Sequence, residues 1–390
     1  MGSRGPDLGS KHWLTSSQNG TGVVFEDATI RQTVLVTLAA DTVRLQISNA
    51  FGGSDLPITA VTVAMPWNQS SGISSIQTET IQGLTFSGTE SFIVPNGAVV
   101  FSDPIAFPVA AQTILTISIY LADGQTTNLI TSHPGSRTTS HFVHGNHIRT
   151  GDLKEITSAD HWYFISAIEG LTKAVSSAVV IVGDSITDGR GSTTNGNDRW
   201  PDQLVERLQA NSEARPVAVI NQAAGGNRVL ADGLGPNGLG RIDRDVIAHS
   251  GIRYAISYNG VNDIGVAETD QVAQEEISGR LIQAYDQMIT RLHRHGILVY
   301  GATITPFTGP GQAYGHPNRE KSRQKVNEWI RNSGRFDALI DFDEAIRDPD
   351  QPDMLLLEYD SGDYLHPNPA GYKAMAAAID LSLFDEAILS

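Results

Sequence analysis

The chain has 390 residues, 40% of them hydrophobic, and a formal net charge of -16. This length is enough for two hydrophobic cores. The charge argues against nucleic acid or an anionic membrane surface as a main partner, because both favour basic patches. No apolar run approaches the roughly 18 residues of a membrane span, and the absence of cysteine excludes disulfides and thiol chemistry.

Residues 1–12 lack the apolar core of a signal peptide, and we interpret them as a linker or an artificial extension. Two glycosylation sequons begin at Asn19 and Asn68, in polar stretches rich in turn-forming residues. We expect a secreted protein whose signal peptide is absent from this chain.

Residues 13–170 contain short alternating stretches rich in Val, Thr, Ile and Ser, separated by Gly, Asn and Pro. The stretches are residues 42–48, 58–65, 112–120 and 161–167. This pattern predicts an all-β sandwich. Trp13, Trp67 and Trp162 are its candidates for stacking on a sugar, although tryptophan more often packs in a core.

Residues 171–390 alternate apolar strand patterns with amphipathic helical ones. We predict strands at the run before Gly183 and over residues 216–221 and 253–258. We predict helices over residues 200–210, about 270–295, 318–332 and 369–384. The second half of the chain should therefore be a three-layer α/β/α domain on a parallel sheet.

Residues 180–189 read VIVGDSITDG, which sets Ser185 at the turn that leaves a buried parallel strand. At such a turn a serine hydroxyl can be exposed while its backbone N–H faces an incoming oxygen. This geometry suits a nucleophile. The alternative is an ordinary Asx or Ser turn that caps the next helix.

Asp363 and His366 fall on one loop directly before a predicted helix. Their spacing of three lets the carboxylate hydrogen-bond the near imidazole nitrogen and leaves the far nitrogen for another loop. The alternative is a helix start, with Asn368 as cap and Pro369 at the first position. These two interpretations are compatible.

Two further loops follow the middle predicted strands. Residues 222–228 contain a glycine pair, which permits close approach of the backbone and an exposed N–H. Residues 259–263 contain Asn262, whose neutral amide can donate a hydrogen bond to an oxyanion. Either loop taken alone is more typical of a plain strand-to-helix turn.

The four blocks GDSIT, NQAAGGNR, GVND and DYLH, in this order, resemble the SGNH hydrolases, also called GDSL esterases and lipases. The resemblance covers roughly residues 178–385. It implies an SGNH-type, flavodoxin-like fold after a jelly-roll-like β domain, as in two-domain carbohydrate-active esterases. Matched position by position, it implies a nucleophile at Ser185, a base at His366 oriented by Asp363, and oxyanion donors at Ser185, Gly226 and Asn262. Gly226 matches the family better than Gly225 because Asn227 directly follows it.

The resemblance implies a serine esterase that acts on small or carbohydrate-linked acyl esters through an acyl-enzyme, without cofactor or metal. The alternatives are an acyltransferase with the same triad and a glycan-binding protein with an inactive hydrolase domain. His141, His144 and His147 recur every three residues, but a loop is favoured over a metal site there. The G-x-G-x-x-G match at residues 233–238 follows no strand, which argues against nucleotide binding.

Overall fold

The computed structural model describes residues 23–172, 176–211 and 216–385. Segment 1–12, Trp13 and the sequon at Asn19 lie outside these described residues. The chain divides into two compact units, Met1–Lys173 with Thr194–Gly196 and Ala174–Thr193 with Asn197–Ser390. In the described part of the chain, no helix has the length and apolar character needed to cross a membrane.

The first unit consists mainly of short strands, as its sequence predicts. They are β1 (Ala28–Val36), β2 (Ala40–Ser48), β3 (Leu56–Ile58), β4 (Ala60–Ala64), β5 (Gln82–Leu84), β6 (Phe92–Val94), β7 (Val99–Phe101), β8 (Ile105–Val109), β9 (Thr113–Leu121), β10 (Ser132–His133), β11 (Ser140–His144), β12 (Thr157–Ala159), β13 (Trp162–Tyr163) and β14 (Ile165–Leu171). One antiparallel sheet has the order β12-β11-β1-β9-β4-β5, and a second has β14-β2-β7 with β8 also paired to β2.

The two sheets of this unit share one hydrophobic core. Ile30 and Ile119 face each other in the first sheet, on β1 and β9. They belong to the same buried cluster as Leu45 and Ile47 of β2, in the second sheet. Because two antiparallel sheets enclose one core, the unit is a β-sandwich, and the predicted all-β class is confirmed. The jelly-roll-like connectivity stays a prediction.

Two predicted strands of this unit are each divided in the structure. Residues 58–65 contribute to β3 and β4, which pair with different neighbours. Residues 161–167 divide between β13 and β14 because Phe164 has a φ of 62°, a left-handed conformation that does not continue a strand. An alternating sequence pattern does not show that one residue within it has a left-handed conformation.

The sandwich candidates for sugar stacking differ in exposure. Trp162 is half-buried, and its indole Nε1 donates a hydrogen bond of 3.0 Å to the carbonyl of Thr33. Trp67 is 58% exposed. Of the two candidates that the structure describes, Trp67 is therefore the one with ring surface available to a ligand.

The second unit alternates strands and helices. Its strands are β15 (Ser177–Gly183), β16 (Val217–Asn221), β17 (Ile252–Tyr258), β18 (Leu298–Ala302) and β19 (Ala338–Ile340). Its helices are α1 (Ser185–Asp188), α2 (Trp200–Ala210), α3 (Gly238–Ile242), α4 (Val261–Val266), α5 (Gln271–His293), α6 (Pro317–Asn332), α7 (Phe342–Ile346) and α8 (Pro369–Ala377).

The strands form one parallel sheet in the order β16-β15-β17-β18-β19. In chain order this is 2-1-3-4-5, the flavodoxin-like arrangement. Helices α2 and α7 pack on α8, while α3 and α6 pack on α5. These two groups form the outer layers of the predicted three-layer α/β/α domain, which is confirmed. Val179, Val180 and Ile181 of β15 are fully buried, as a central parallel strand requires.

The strand order also determines where a site can form. The chain leaves β15 toward β16 on one side and later returns to β17 on the other. The carboxyl ends of these three strands therefore meet at the topological switch point of the sheet, where ligands bind in open α/β folds. Ser185 follows β15, Gly226 follows β16 and Asn262 follows β17.

The observed helix boundaries agree best with the predicted ones where residues beside the helix end cap it. Helix α2 spans the predicted residues 200–210, with a proline in its first turn. Helix α8 ends at Ala377 instead of residue 384, because the Asp380 side chain accepts a hydrogen bond from the Ser382 N–H and starts a separate 3₁₀ turn. The short helices α3, α4 and α7 are not predicted from the sequence.

A buried ion-pair network joins α6 to α7. Arg323 and Asp343 are both fully buried and lie 2.6 Å apart. Arg331 contacts the other oxygen of Asp343 at 2.7 Å. We predict that Arg323→Met destabilises the second unit by about 3–5 kcal/mol, because it removes one partner of a buried pair. Urea unfolding measures this loss.

The exposed pair of Arg335 and Asp286 provides the control. Arg335→Ala should cost less than about 1 kcal/mol, since exposed ion pairs contribute little. Equal losses of unfolding free energy in the two variants would show that burial does not determine how much the pair of Arg323 and Asp343 stabilises the protein.

Candidate active site

Ser185 is the first residue of α1, directly after the end of β15. Asp184 caps this short helix, and its side chain accepts a hydrogen bond of 3.0 Å from the Ile186 N–H. A Cβ at Gly183 would lie 2.6 Å from the Thr187 hydroxyl oxygen, so glycine is needed for α1 to approach the strand this closely. The sharp turn leaves the Ser185 side chain half-buried, at the carboxyl edge of the sheet.

Three side chains form a continuous hydrogen-bonded chain. Ser185 Oγ lies 2.8 Å from His366 Nε2, and His366 Nδ1 lies 2.6 Å from Asp363 Oδ2. A carboxylate can only accept, so Nδ1 carries a proton, and in the neutral ring Nε2 is then the acceptor for the serine hydroxyl. The fold thus brings Ser185 and His366 into contact, although they are 181 residues apart in the chain.

The Asp363 carboxylate is held by its own loop. Its Oδ1 accepts the backbone N–H groups of His366 at 2.8 Å and Leu365 at 3.1 Å. Partial burial would raise the pKa of Asp363, but the hydrogen bonds from His366 and Leu365 outweigh burial and lower it to about 2. The carboxylate is therefore ionised at neutral pH. Arg190 Nε lies 3.9 Å from it, at the exposed rim.

The loop that carries Asp363 and His366 is joined to the start of α8 by a helix cap. Asn368 caps α8, and its side-chain oxygen accepts the Gly371 N–H at 3.0 Å. The predicted cap is confirmed, and it leaves Asp363 and His366 free for other contacts. Tyr364 has a φ of 57°, which reverses the chain between the carboxylate and the imidazole.

The two adjacent glycines after β16 have different environments. The Gly225 N–H donates a hydrogen bond of 2.8 Å to Asp188 Oδ2. Among the described residues, none accepts the Gly226 N–H. Gly226 has a φ of 70°, which favours glycine, and a Cβ there would lie 2.6 Å from the Leu234 side chain. The Gly226 N–H is therefore available to a ligand, whereas the Gly225 N–H is already bonded.

Asn262 is buried near the start of α4, and its side chain contacts the glycine loop. Its Nδ2 donates a hydrogen bond of 2.9 Å to the Asn227 carbonyl. The Asn227 side chain donates to the Pro236 carbonyl at 2.7 Å and accepts from Arg241 Nε at 3.1 Å. Asn227 thus contributes its carbonyl to the position of Asn262.

Three residues around the site were missed by sequence reasoning. Asp188 holds the Gly225 N–H, as described above. Arg241 is buried and donates to the Gly183 carbonyl at 3.0 Å, at the end of β15. Tyr314 donates from its hydroxyl to Asn262 Oδ1 at 3.0 Å. Asp188 lies inside the GDSITDG block, whereas no local pattern marks the other two.

Asp184 is a second carboxyl group beside the serine. Burial raises the pKa of Asp184 to about 7, and the hydrogen bond from Ile186 only partly offsets this effect. The neighbouring Asp263 and Asp188 raise the pKa further. The Asp184 carboxyl therefore keeps its proton to a higher pH than an exposed aspartate does.

The histidines considered as metal ligands have other partners. His141 Nε2 contacts the Gly72 carbonyl at 2.9 Å, His144 pairs with Asp27 and His147 contacts Thr150. Within the part of the chain that the structure describes, no group of three or more His, Asp or Glu side chains is arranged to hold a metal ion.

Comparison with known proteins assigns the second unit. The model of the GDSL-like lipase/acylhydrolase family matches residues 181–374. No curated protein matches the chain significantly.

Similar solved structures each cover about half of the chain. An acetylxylan esterase from Geobacillus stearothermophilus is 20% identical over 52% of this chain and 91% of its own, with a TM-score of 0.39. A GDSL-like lipase from Bacteroides thetaiotaomicron VPI-5482 is 18% identical over 52% and 84%, with a TM-score of 0.38. A carbohydrate acetylesterase family member from Sinorhizobium meliloti is 17% identical over 52% and 94%, with a TM-score of 0.40.

The match at residues 181–374 contains Ser185, the glycine loop, Asn262 and the loop of Asp363 and His366. The second unit therefore contains a GDSL-like lipase/acylhydrolase domain, over residues 181–374.

Proposed function

We propose that the protein is a serine esterase that hydrolyses carboxylic esters through an acyl-enzyme. The observation that carries this proposal is the hydrogen-bonded chain from Ser185 through His366 to Asp363. A nucleophile, a base within hydrogen-bond reach and a group that orients the base are the parts that such chemistry needs.

In the first half of the reaction, Ser185 Oγ attacks the ester carbonyl carbon while His366 Nε2 takes the hydroxyl proton. Asp363 stabilises the imidazolium that forms, because its lowered pKa keeps it ionised. The imidazolium then gives its proton to the leaving alcohol. In the second half, water attacks the acyl-enzyme with the same proton transfers and releases the acid.

The carbonyl oxygen becomes negative in both tetrahedral intermediates. The N–H groups of Ser185 and Gly226 and the amide of Asn262 are the proposed donors. In the described structure, neither backbone N–H has an intramolecular acceptor. These donors need no rearrangement of hydrogen bonds before reaction, which is what electrostatic preorganisation requires.

We propose small or carbohydrate-linked acyl esters as substrates. Leu234 is 69% exposed and its side chain packs over Gly226, so an apolar group borders the proposed oxyanion site. A panel of nitrophenyl esters of increasing chain length, run beside acetylated sugars, tests this class. Product analysis with added alcohol separates hydrolysis from acyl transfer, since a transferase forms a new ester.

We predict that Ser185 forms the covalent intermediate. A serine-reactive phosphonate should add one equivalent to Ser185 and abolish ester hydrolysis, and Ser185→Ala should be inactive and unlabelled. Ser192→Ala is the control, because the Ser192 hydroxyl is bonded to the Gly189 carbonyl and should not affect the reaction. An adduct mapped to a different serine by mass spectrometry would refute this assignment.

We predict that Asp363→Asn lowers kcat by about 10³ to 10⁴ with the fold intact, since an amide cannot hold the imidazole in the same tautomer. His366→Ala should lose at least as much. Asp353→Asn removes the same charge from an exposed carboxylate that is bonded to Thr308, and should leave kcat unchanged.

The pH dependence of stability tests the ionisation of Asp363. The pKa of Asp363 is lowered from 3.8 to about 2, so its contribution to stability is present above about pH 4 and is lost as the pH falls toward 2. Asp363→Asn lacks this carboxylate, so its free energy of unfolding should change less between about pH 4 and pH 2 than that of the native protein. Equal changes in the two proteins, measured by urea unfolding, would contradict the lowered pKa of Asp363.

We predict that Asn262→Ala lowers kcat by about 10² to 10³ and leaves KM nearly unchanged, because the lost donor acts on the transition state. Asn332→Ala removes an exposed amide that is bonded to Glu328 and serves as the control. A raised KM with kcat intact would instead identify Asn262 as a contact to the bound substrate.

A further inference from the structure

Tyr314 lies on the loop between β18 and α6, outside the four blocks that define the proposed site. Its ring packs edge-on against Phe307, with ring centroids 6.3 Å apart. A Cβ at Gly265 would lie 2.3 Å from the ring, so this glycine of α4 gives the ring room to lie against the helix. The Tyr314 N–H is also bonded to Gln312 Oε1, at 3.0 Å. These contacts hold the hydroxyl in one place.

The hydrogen bonds of Asn262 determine which way its amide points. The Asn227 carbonyl can only accept, so the amide atom 2.9 Å from it is the Nδ2 donor. The other amide atom, Oδ1, can only accept, so the Tyr314 hydroxyl 3.0 Å away is the donor. Within the described residues, no acceptor takes the second Nδ2 hydrogen of Asn262.

We infer that Tyr314 is a positioning residue for the oxyanion hole, holding the Asn262 amide so that this second hydrogen is available to the developing oxyanion. The inference rests on the proposed esterase function. Without the tyrosine hydroxyl, Oδ1 of Asn262 loses a partner that opposes rotation of the amide. A donor to Oδ1 also polarises the amide and strengthens the hydrogen bonds that its Nδ2 donates.

The protonation state of Tyr314 supports this role. Burial raises the pKa of Tyr314, and the neighbouring Asp184 raises it further, although three nearby arginines oppose both effects. The hydroxyl therefore keeps its proton throughout the pH range of an ester assay and remains a donor.

The first test is Tyr314→Phe, which keeps the ring and removes the hydroxyl. We expect kcat to fall about 2- to 10-fold, as for the loss of one net hydrogen bond, with KM unchanged within about twofold. Tyr254→Phe is the matched control, because its hydroxyl is bonded to the Phe384 carbonyl and Tyr254 lies near the amino end of β17. Unchanged kcat in Tyr314→Phe, or a rise in KM alone, would overturn the inference.

The second test separates positioning of Asn262 from an independent structural effect. In the Asn262→Ala background, Tyr314→Phe should cause no further loss of kcat, because the amide it positions is gone. The same 2- to 10-fold loss in both backgrounds would overturn the inference, since Tyr314 would then act without Asn262.

The third test needs no knowledge of the natural ester. The rate at which diethyl 4-nitrophenyl phosphate labels Ser185 depends on stabilisation of the phosphoryl oxygen in the oxyanion hole. It should fall by a similar factor in Tyr314→Phe. An equal labelling rate in the native protein and the variant would refute the role of Tyr314 but would leave the proposed function standing. A native protein that is not labelled at Ser185 would refute the proposed function.

Discussion

The guanidinium of Arg241 is buried and connects the ends of two adjacent strands. It donates to the Gly183 carbonyl at the end of β15 and to the Gln222 carbonyl just after β16. It also contacts the side chains of Asn227 and Asp245. Burying a charge is costly unless it is paired and hydrogen-bonded. Arg241 is paired with Asp245, and each nitrogen of its guanidinium donates at least one hydrogen bond. The serine turn and the glycine loop therefore share one rigid anchor, which fixes the distance between the proposed nucleophile and its oxyanion donors.

Further hydrogen bonds extend from this anchor across the carboxyl edge of the sheet. Asp188, one turn after the serine, holds the Gly225 N–H, and the Asn227 carbonyl holds the Asn262 amide. Asp263 accepts the N–H groups of Val229 and Leu230 and so joins α4 to the same loop. Loops from three strands are thus linked to one another by hydrogen bonds before any substrate binds. This is the condition under which fixed dipoles stabilise charge without a reorganisation cost.

The sequence predicts those parts of the molecule that depend on local patterns. The buried run of β15, the helix α2 and the cap at Asn368 follow from composition, amphipathic spacing and capping chemistry, and all are present. The spacing of Asp363 and His366 also suggests their mutual hydrogen bond. Their closeness to Ser185 in the fold could be expected only from the family resemblance, because no local sequence pattern relates residues that are so far apart in the chain. Arg241 and Tyr314 have no local pattern at all, since their partners come from other segments brought together by the sheet.

The order of these segments in the chain has a consequence for folding. Ser185 follows the first strand of the second unit, and His366 precedes α8, whose partner in the packed layer is α2. A growing chain that ends before Asp363 already contains the serine and the glycine loop but lacks the proposed base. Contacts between such distant segments slow folding, because the entropy of closing the long intervening loop is lost before the contacts form. The proposed nucleophile therefore lacks its proposed base until these segments meet. On the proposed function, recovery of esterase activity during refolding would report completion of the whole unit instead of formation of its sheet alone.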